Sequence, residues 1–336
     1  MDTVSHICMG AATGLVVSTI ANSTGVDVNT SSVVALSIAA NCFPDIDVLF
    51  KLKSNNAYIA NHRGKSHSIV FALLWVSILT LIGYYFARTH IEVYFIVSIL
   101  GVSLHLFTDL LNGYGVALLW PFYQKWIALG ITYTFDAILI VLHIIAFIAI
   151  FIFNTNVLTT FAITYSILIL YLLIAFIVHF HFKFRLIKKY GNYKRLILQA
   201  RVQPFTWKYV YETNDKEFYM GLIIRNKIDQ IRFEKRLEVL SNDLEKILYQ
   251  DKDYKAFIDF TPIYNYKIRH QRDGVLEIKF YDLRYLMVRK NQQFYTFNCF
   301  IQIKDSKVIT SYLAFTINEE NAYKNFEKVK EKQGIN

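Results

Sequence analysis

Four stretches of this chain run for about 19–24 residues with almost no charge: 68–87, 91–111, 135–153 and 157–180. An α-helix rising 1.5 Å per residue needs that much apolar sequence to cross the roughly 30 Å hydrocarbon layer of a bilayer. A mean hydropathy of +0.31 over 336 residues points the same way. Two shorter runs, 7–22 and 31–43, are rich in Ala, Gly, Val and Ser and reach spanning length only with their polar flanks. They predict two further helices, about six in all. No basic segment precedes the first apolar run, so no signal peptide is expected.

The charge is divided as sharply as the hydropathy. Residues 1–181 hold six Lys and Arg against seven Asp and Glu, whereas the remainder holds 30 against 19. The whole net charge of +10 therefore belongs to the tail. Nucleic acid is one partner such a tail can have, but Lys and Arg beside a span are more simply an anchor for anionic lipid headgroups. The dense basic flank 181–195 places the end of the last span in the cytoplasm by the positive-inside rule. Counting back, loops 112–134 and 44–67 also face inward, and both termini are cytoplasmic. Lys51, Lys53, Arg63 and Lys65 in 44–67, against no basic residue in 23–30, agree with this.

The domain boundaries follow: a membrane-embedded domain over 1–181, a basic juxtamembrane linker over 182–199, and a cytoplasmic α+β domain over 200–336. In the last of these, 207–212, 217–224, 274–283, 292–303 and 307–317 are short, β-branched and aromatic, and predict strands. Residues 229–250 have apolar positions at helical spacing and predict one amphipathic helix, and 320–333 another. Cys8, Cys42 and Cys299 lie far apart in no metal-binding spacing, and no structural disulfide is expected.

Polar chemistry in the first half is confined to a few islands between the apolar runs: Ser5-His6, Pro44-Asp45-Ile46-Asp47, His62 to His67, His105 to Asp109, and Phe135-Asp136. The inferred topology puts every island at the cytoplasmic end of its helix. His105 and Asp109, four apart, share one helix face and can give a metal an imidazole nitrogen and a carboxylate oxygen. Asn112 continues that face. An ionisable group at bilayer depth costs roughly 2.5–3.5 kcal/mol on insertion scales and usually marks function, which weakens the reading of a mere packing pair. Asp45 and Asp47 alternate after Pro44 and can share a side, or simply end a helix. His62 and His67 flank a loop in which Gly64 lets the backbone bend, and Arg63 supplies fixed positive charge for a phosphate-like anion. His6 and Asp136 gain weight from the same topology. Of the other histidines, His143, His179 and His181 read as packing or interfacial, and His90 and His270 as remote.

These islands, in this order, resemble the YdjM-like family of bacterial inner-membrane proteins, described as metal-dependent hydrolases. The resemblance covers roughly residues 1–180 and rests on Ser5-His6, PDID at 44–47, HRGKSHS at 62–68, HLFTD at 105–109 with Asn112 to Gly115, Trp120-Pro121-Phe122, and Phe135-Asp136. The tail is similar to the longer form of Bacillus-type relatives, the YfhP-like branch. A more distant likeness is to zinc-dependent phospholipase C and S1/P1 nuclease, in which His6, Asp47, His62, His105 and Asp109 fall in a compatible order. The later HxxxE pair of those enzymes is missing here, and Asp136 would have to take over part of its role.

Together these readings imply a membrane-embedded, metal-dependent hydrolase whose site opens at the cytoplasmic face. Its metal ligands are His6, Asp45, Asp47, His62, His67, His105, Asp109 and Asp136, holding two or three divalent ions, of which zinc is expected. A metal-activated water would attack, Asp47 or Asp109 would serve as base or orienting group, and Arg63 would hold the substrate anion. A site at membrane depth suits a lipid phosphoester as substrate. The rival is a non-catalytic membrane protein, either an ion transporter or a regulator acting through its basic tail. A transporter calls for an internal repeat and mid-bilayer charge, and a DNA-binding regulator for a helix-turn-helix; neither pattern is visible. No nucleic-acid partner is expected.

Overall fold

A computed structural model describes residues 1–52, 63–236, 238–270, 274–289, 292–316 and 319–332. The first half is helical: α1 (Thr3–Ser23), α2 (Thr30–Cys42), a 3-10 segment (Phe43–Leu52), a 3-10 turn (Lys65–His67), α3 (Ile69–Ala87), α4 (Ile91–Leu111), α5 (Ala137–Phe151) and α6 (Val157–Tyr190). Short polar side chains start most of them. Asp2, Asn29, Ser68, Asp136 and Asn156 each accept a backbone N–H of the first turn they cap. Among the described residues, five helical spans are long and apolar enough to cross a membrane: α1, α2 together with the 3-10 segment to Leu52, α3, α4 and α6. In α5 the cap at Asp136 and the end at Phe151 leave 15 residues, fewer than the 135–153 run promised.

Packing sorts the helices into inner and outer members. Gly10 and Gly14, one turn apart on α1, lie flat against α2, where an added Cβ would come within 2.7 Å of Ile38 Cα and 2.6 Å of Val34 Cα. Small residues at this spacing let two helix backbones approach closely in an apolar medium, where dispersion replaces the hydrophobic drive. Around that pair, Val33, Leu36, Leu79, Tyr94 and Val97 close a buried core. Leu73, Phe86, Ile163, Leu170 and Ile177 on α3 and α6 point outward and are exposed, as a lipid-facing surface requires.

The second half carries β1 (Tyr193–Ala200), β2 (Trp207–Thr213), β3 (Glu217–Ile224) and β4 (Lys227–Lys235) in one antiparallel sheet, in that order. Then come α7 (Asn242–Leu248), α8 (Lys252–Phe260), β5 (Tyr264–His270), β6 (Leu276–Asp282), β7 (Leu286–Arg289), β8 (Gln292–Tyr295), β9 (Phe297–Lys304), β10 (Lys307–Phe315) and α9 (Glu319–Lys332). A second antiparallel sheet has the order β10-β9-β6-β5, and β7 and β8 form a separate hairpin.

Three segments differ here from their expected form. Residues 182–199 are not a linker: α6 continues to Tyr190, and β1 begins at Tyr193. Phe182 and Leu186 of that helix pack with Leu198, Trp207, Tyr209 and Ile223, so the last membrane helix runs straight into the domain's core. Nor is 229–250 one helix. Its first part is β4, returned onto β3 by Arg225 and Asn226, both at positive φ (48° and 66°). That backbone suits a tight hairpin turn, and Ile228 and Ile231 satisfy a helical spacing equally well, which is why the pattern misleads. The 292–303 run is also broken, into β8 and β9, by a bend at Thr296 whose N–H donates to the Tyr285 carbonyl.

Glu234 on β4 ties the two sheets together. It accepts hydrogen bonds from Asn265, Tyr281 and Tyr295 at 2.8–2.9 Å and pairs with Arg232 at 2.6 Å. Burial alone would push this carboxyl up, but the hydrogen bonds from Asn265, Tyr295 and Tyr281, with Arg232, hold it below the ordinary range. A depressed carboxyl contributes stability above its unfolded-state pKa of about 4.3, and loses it as pH falls through the lower folded value. Glu234→Gln is therefore expected to destabilise the domain by about 1–3 kcal/mol at pH 7 and to flatten its acid limb. Urea unfolding followed by Trp207 fluorescence at pH 7 and pH 4 checks this; parallel pH profiles for the two proteins would refute it.

Candidate metal centre

The ends of several helices meet at one end of the bundle, the end from which α6 enters the extramembrane domain. His105 and Asp109 occupy the last turns of α4 and are fully buried. Pro44 stops α2 as an α-helix because it lacks an N–H. The 3-10 segment that follows delivers Asp45 and the buried Asp47. Next, Arg63 adopts a left-handed backbone (φ 57°), the Lys65–His67 turn presents His67, and Ser68 caps α3. This loop is pinned from outside: Ala117 N–H donates to the Arg63 carbonyl at 2.9 Å, and Trp75 Nε1 to the Ser66 carbonyl at 3.0 Å.

Asp45, His67, His105 and Asp109 each place one ligand atom within 4.8 Å of the others. His67 Nε2 lies 3.1 Å from His105 Nε2, 3.3 Å from Asp45 Oδ1 and 3.5 Å from Asp109 Oδ2. His105 Nε2 lies 3.8 Å and 3.7 Å from the same two oxygens. Ligand atoms bound tetrahedrally at about 2.0–2.1 Å stand about 3.3 Å apart. The set needs little adjustment to take one ion.

Proton positions sharpen the point. His105 Nδ1 is 2.7 Å from the Asn41 carbonyl, which can only accept, so this nitrogen carries the proton. Ser66 Oγ donates to Asp47 Oδ2 at 2.9 Å and thus accepts from His67 Nδ1, also at 2.9 Å. In the neutral rings both Nε2 lone pairs then point at each other across 3.1 Å. A shared proton would relieve that one pair only. Asp45 Oδ1 and Asp109 Oδ2 are buried and face no group but these imidazoles, and a metal ion would satisfy all four atoms at once.

The other sequence candidates surround this set in different ways. Asp47 backs His67: its Oδ2 accepts from Arg63 N–H at 2.8 Å and lies 3.3 Å from His67 Nδ1. His6 stacks on His105 with ring centroids 3.9 Å apart, and its Nε2, without a hydrogen-bond partner, is 3.7 Å from Asp109 Oδ1. Arg63 Nη2 is 3.2 Å from Asp109 Oδ1 and donates to the Met1 carbonyl at 3.1 Å, while the Met1 amine also contacts Asp109. Asp136 stands outside the set. Its carboxylate caps α5 and accepts from Tyr171 at 2.8 Å, so its lone pairs serve helix and packing. His62 lies outside the described residues. Among those described, one set of four donors converges on a single point.

Sequence reasoning passed over Asn41 and Ser66. The Asn41 carbonyl orients His105, and its side-chain oxygen lies 3.2 Å from His6 Nδ1. A lone Asn at the end of an apolar helix was the available signal. Asn112, which continues the His105 face, bonds Asp109 Oδ1 at 3.3 Å and accepts from the N–H groups of Tyr114 and Gly115. His143, set aside as a packing residue, bonds the Leu139 carbonyl of its own helix.

Fold and site together define a membrane protein of several helices with a buried His/Asp cluster able to hold a metal ion, followed by a smaller α/β domain. The family described as YdjM inner membrane protein matches residues 1–182, more than half of the chain, and the chain belongs to that family. Residues 244–326 match the YfhP C-terminal alpha/beta plait domain. A curated relative, the uncharacterized protein YfhP of Bacillus subtilis (strain 168), is 31% identical over 96% of this chain and 98% of its own length. No solved structure matches. The more distant likeness to phospholipase C and S1/P1 nuclease finds no support among these matches.

Proposed function

We propose that this protein is a metal-dependent hydrolase of phosphoester bonds, with its centre at the cytoplasmic end of the bundle and zinc as its ion. The observation that carries the reading is the opposed pair of His67 and His105 Nε2 atoms, enclosed by two buried carboxylate oxygens that face them. A His2Asp2 set of mixed nitrogen and oxygen donors suits zinc. Bound there and open to a water beside these four donors, zinc would supply an acidified water and a Lewis acid for a phosphoryl oxygen.

The chain's own residues do the rest. Asn41 and the Ser66–Asp47 pair fix the two imidazoles in the tautomer that presents Nε2. Asp109, facing both histidines with one oxygen and Arg63 with the other, would hold the ion and orient the water. Arg63 keeps a positive charge at the same place, to which a phosphoryl oxygen is drawn. The exposed apolar faces of α3 and α6 leave the acyl chains of a lipid phosphoester in the bilayer while its headgroup reaches the bundle's end.

The test is hydrolysis of phosphodiester and phosphomonoester lipids in vesicles by the purified full chain. Turnover that stops on chelation and returns with zinc is expected. A zinc-loaded protein that cleaves none of these substrates sinks the reading, and leaves the cluster to an ion carrier or a structural ion.

A further inference from the structure

Between the membrane helices and the extramembrane domain lies a cavity of about 750 Å3, within the usual size range of small-molecule sites. Its walls come from the segment after α4, from the end of α6, and from β1 with the corner between α8 and β5. Lys125, Lys183 and Arg195 line it against one carboxylate, Asp259. Arg284 lines it too, but its guanidinium is held by Asp282 at 2.6–3.1 Å. Trp126 and Thr261, both lining residues, each keep a buried polar atom with no hydrogen-bond partner: Nε1 and Oγ1. An unmatched buried polar group is costly, so two beside one cavity point to a polar ligand that completes them.

The height of the cavity says where the ligand comes from. From Val157 to Phe180, α6 is apolar and about 36 Å long, enough for the hydrocarbon layer, and the first cation after it is Lys183. Phe180 and Lys183 both line the cavity, which therefore opens at headgroup level. The same helix end brings Arg185, Lys188 and Lys189 together with Arg225 and Lys227 in a second cationic groove. An anionic leaflet beside it is what such a groove attracts.

We propose that this cavity binds the headgroup of an anionic phospholipid taken from the adjacent leaflet. The phosphate meets Lys125, Lys183 and Arg195, the Trp126 Nε1 and Thr261 Oγ1 donors complete its shell, and the acyl chains pass back into the bilayer beside Phe180. This goes beyond the hydrolase reading and does not need it. The site would still sense the centre, because Gly113 and Tyr114 in its wall directly follow Asn112, which bonds Asp109.

The test uses the full chain in neutral phosphatidylcholine nanodiscs with and without phosphatidylglycerol. Retained lipid is counted by mass spectrometry, and Trp126 fluorescence is followed against a Trp126→Phe background. Preferential retention of phosphatidylglycerol with a Trp126 response is expected, and a loss of roughly 30-fold in affinity for Lys125→Ala/Lys183→Ala. That double variant should keep the wild-type metal content, which reports that it has folded. Equal retention of both lipids, or unchanged binding by the double variant, overturns the proposal. So does equal binding of soluble glycerophosphoglycerol, which would make this a site for free phosphate esters. Asp109→Asn separates the two readings: lipid binding that survives loss of the metal is expected, and lipid binding lost with the metal would move the lipid to the metal centre.

Discussion

Wild-type protein purified without chelators is expected to carry one divalent ion per chain, and Asp109→Ala and His105→Ala none. Asp109 Oδ2 faces both histidine Nε2 atoms, at 3.5 Å and 3.7 Å. Without it the ion would lose a carboxylate donor and face the Arg63 guanidinium and the Met1 amine uncompensated. Removing His105 also breaks its bond to the Asn41 carbonyl and the stack on His6. A graded control separates binding from folding. Asp47→Ala keeps all four donors and removes only the group behind His67, so its affinity should fall by about 10–100-fold without vanishing. Metal analysis of the three variants, with circular dichroism to confirm unchanged helix content, decides the matter. Full occupancy in Asp109→Ala would remove the centre from this cluster.

The second large effect is expected at the join between the two halves. Gly130 sits at φ 72°, and a Cβ there would lie 2.1 Å from the Leu198 carbonyl oxygen of β1. It also accepts from Ala200 N–H at 3.0 Å and donates to the Asn112 carbonyl at 3.2 Å. Gly130→Val therefore combines a forbidden backbone, costing about 1–2 kcal/mol or more for a β-branched residue, with a backbone collision that only displacement of β1 relieves. The domain should come away from the 112–131 segment while its sheets stay folded. Protease cleavage near Gly191 should accelerate strongly, and metal affinity should fall because Asn112 loses its fixed place beside Asp109. Cleavage at the wild-type rate would show that β1 is not held there.

How far the sequence carries depends on whether its pattern has one physical reading. Long apolar runs do, which is why the helices of the first half fall close to their expected places. The HxxxD spacing does as well: on a helix, His105 and Asp109 must share a face. Ile228 and Ile231 do not, since they fit a strand as well as a helix, and the positive-φ turn at Arg225 and Asn226 carries no Asn-Gly or Gly signal. Gly10 and Gly14 were a legible close-packing signal whose partner helix only the fold reveals.

The same distinction runs through the candidate site. Composition and charge bias determined that Asp45, His67, His105 and Asp109 lie at one end of a helical bundle, because each island follows or precedes an apolar run of known parity. Nothing in that pattern separates Asp45, turned into the cluster, from Asp47, turned behind His67, two residues later on a 3-10 segment. Nor does it separate Asp109, whose Oδ2 is left facing the two histidines, from Asp136, a carboxylate taken up by a helix cap and a tyrosine. Those choices are made by lone pairs and distances below 4 Å between residues up to 64 positions apart. Sequence brought the polar groups to one end of the bundle; only the tertiary structure decided which of them converge on one point, and so which can hold an ion.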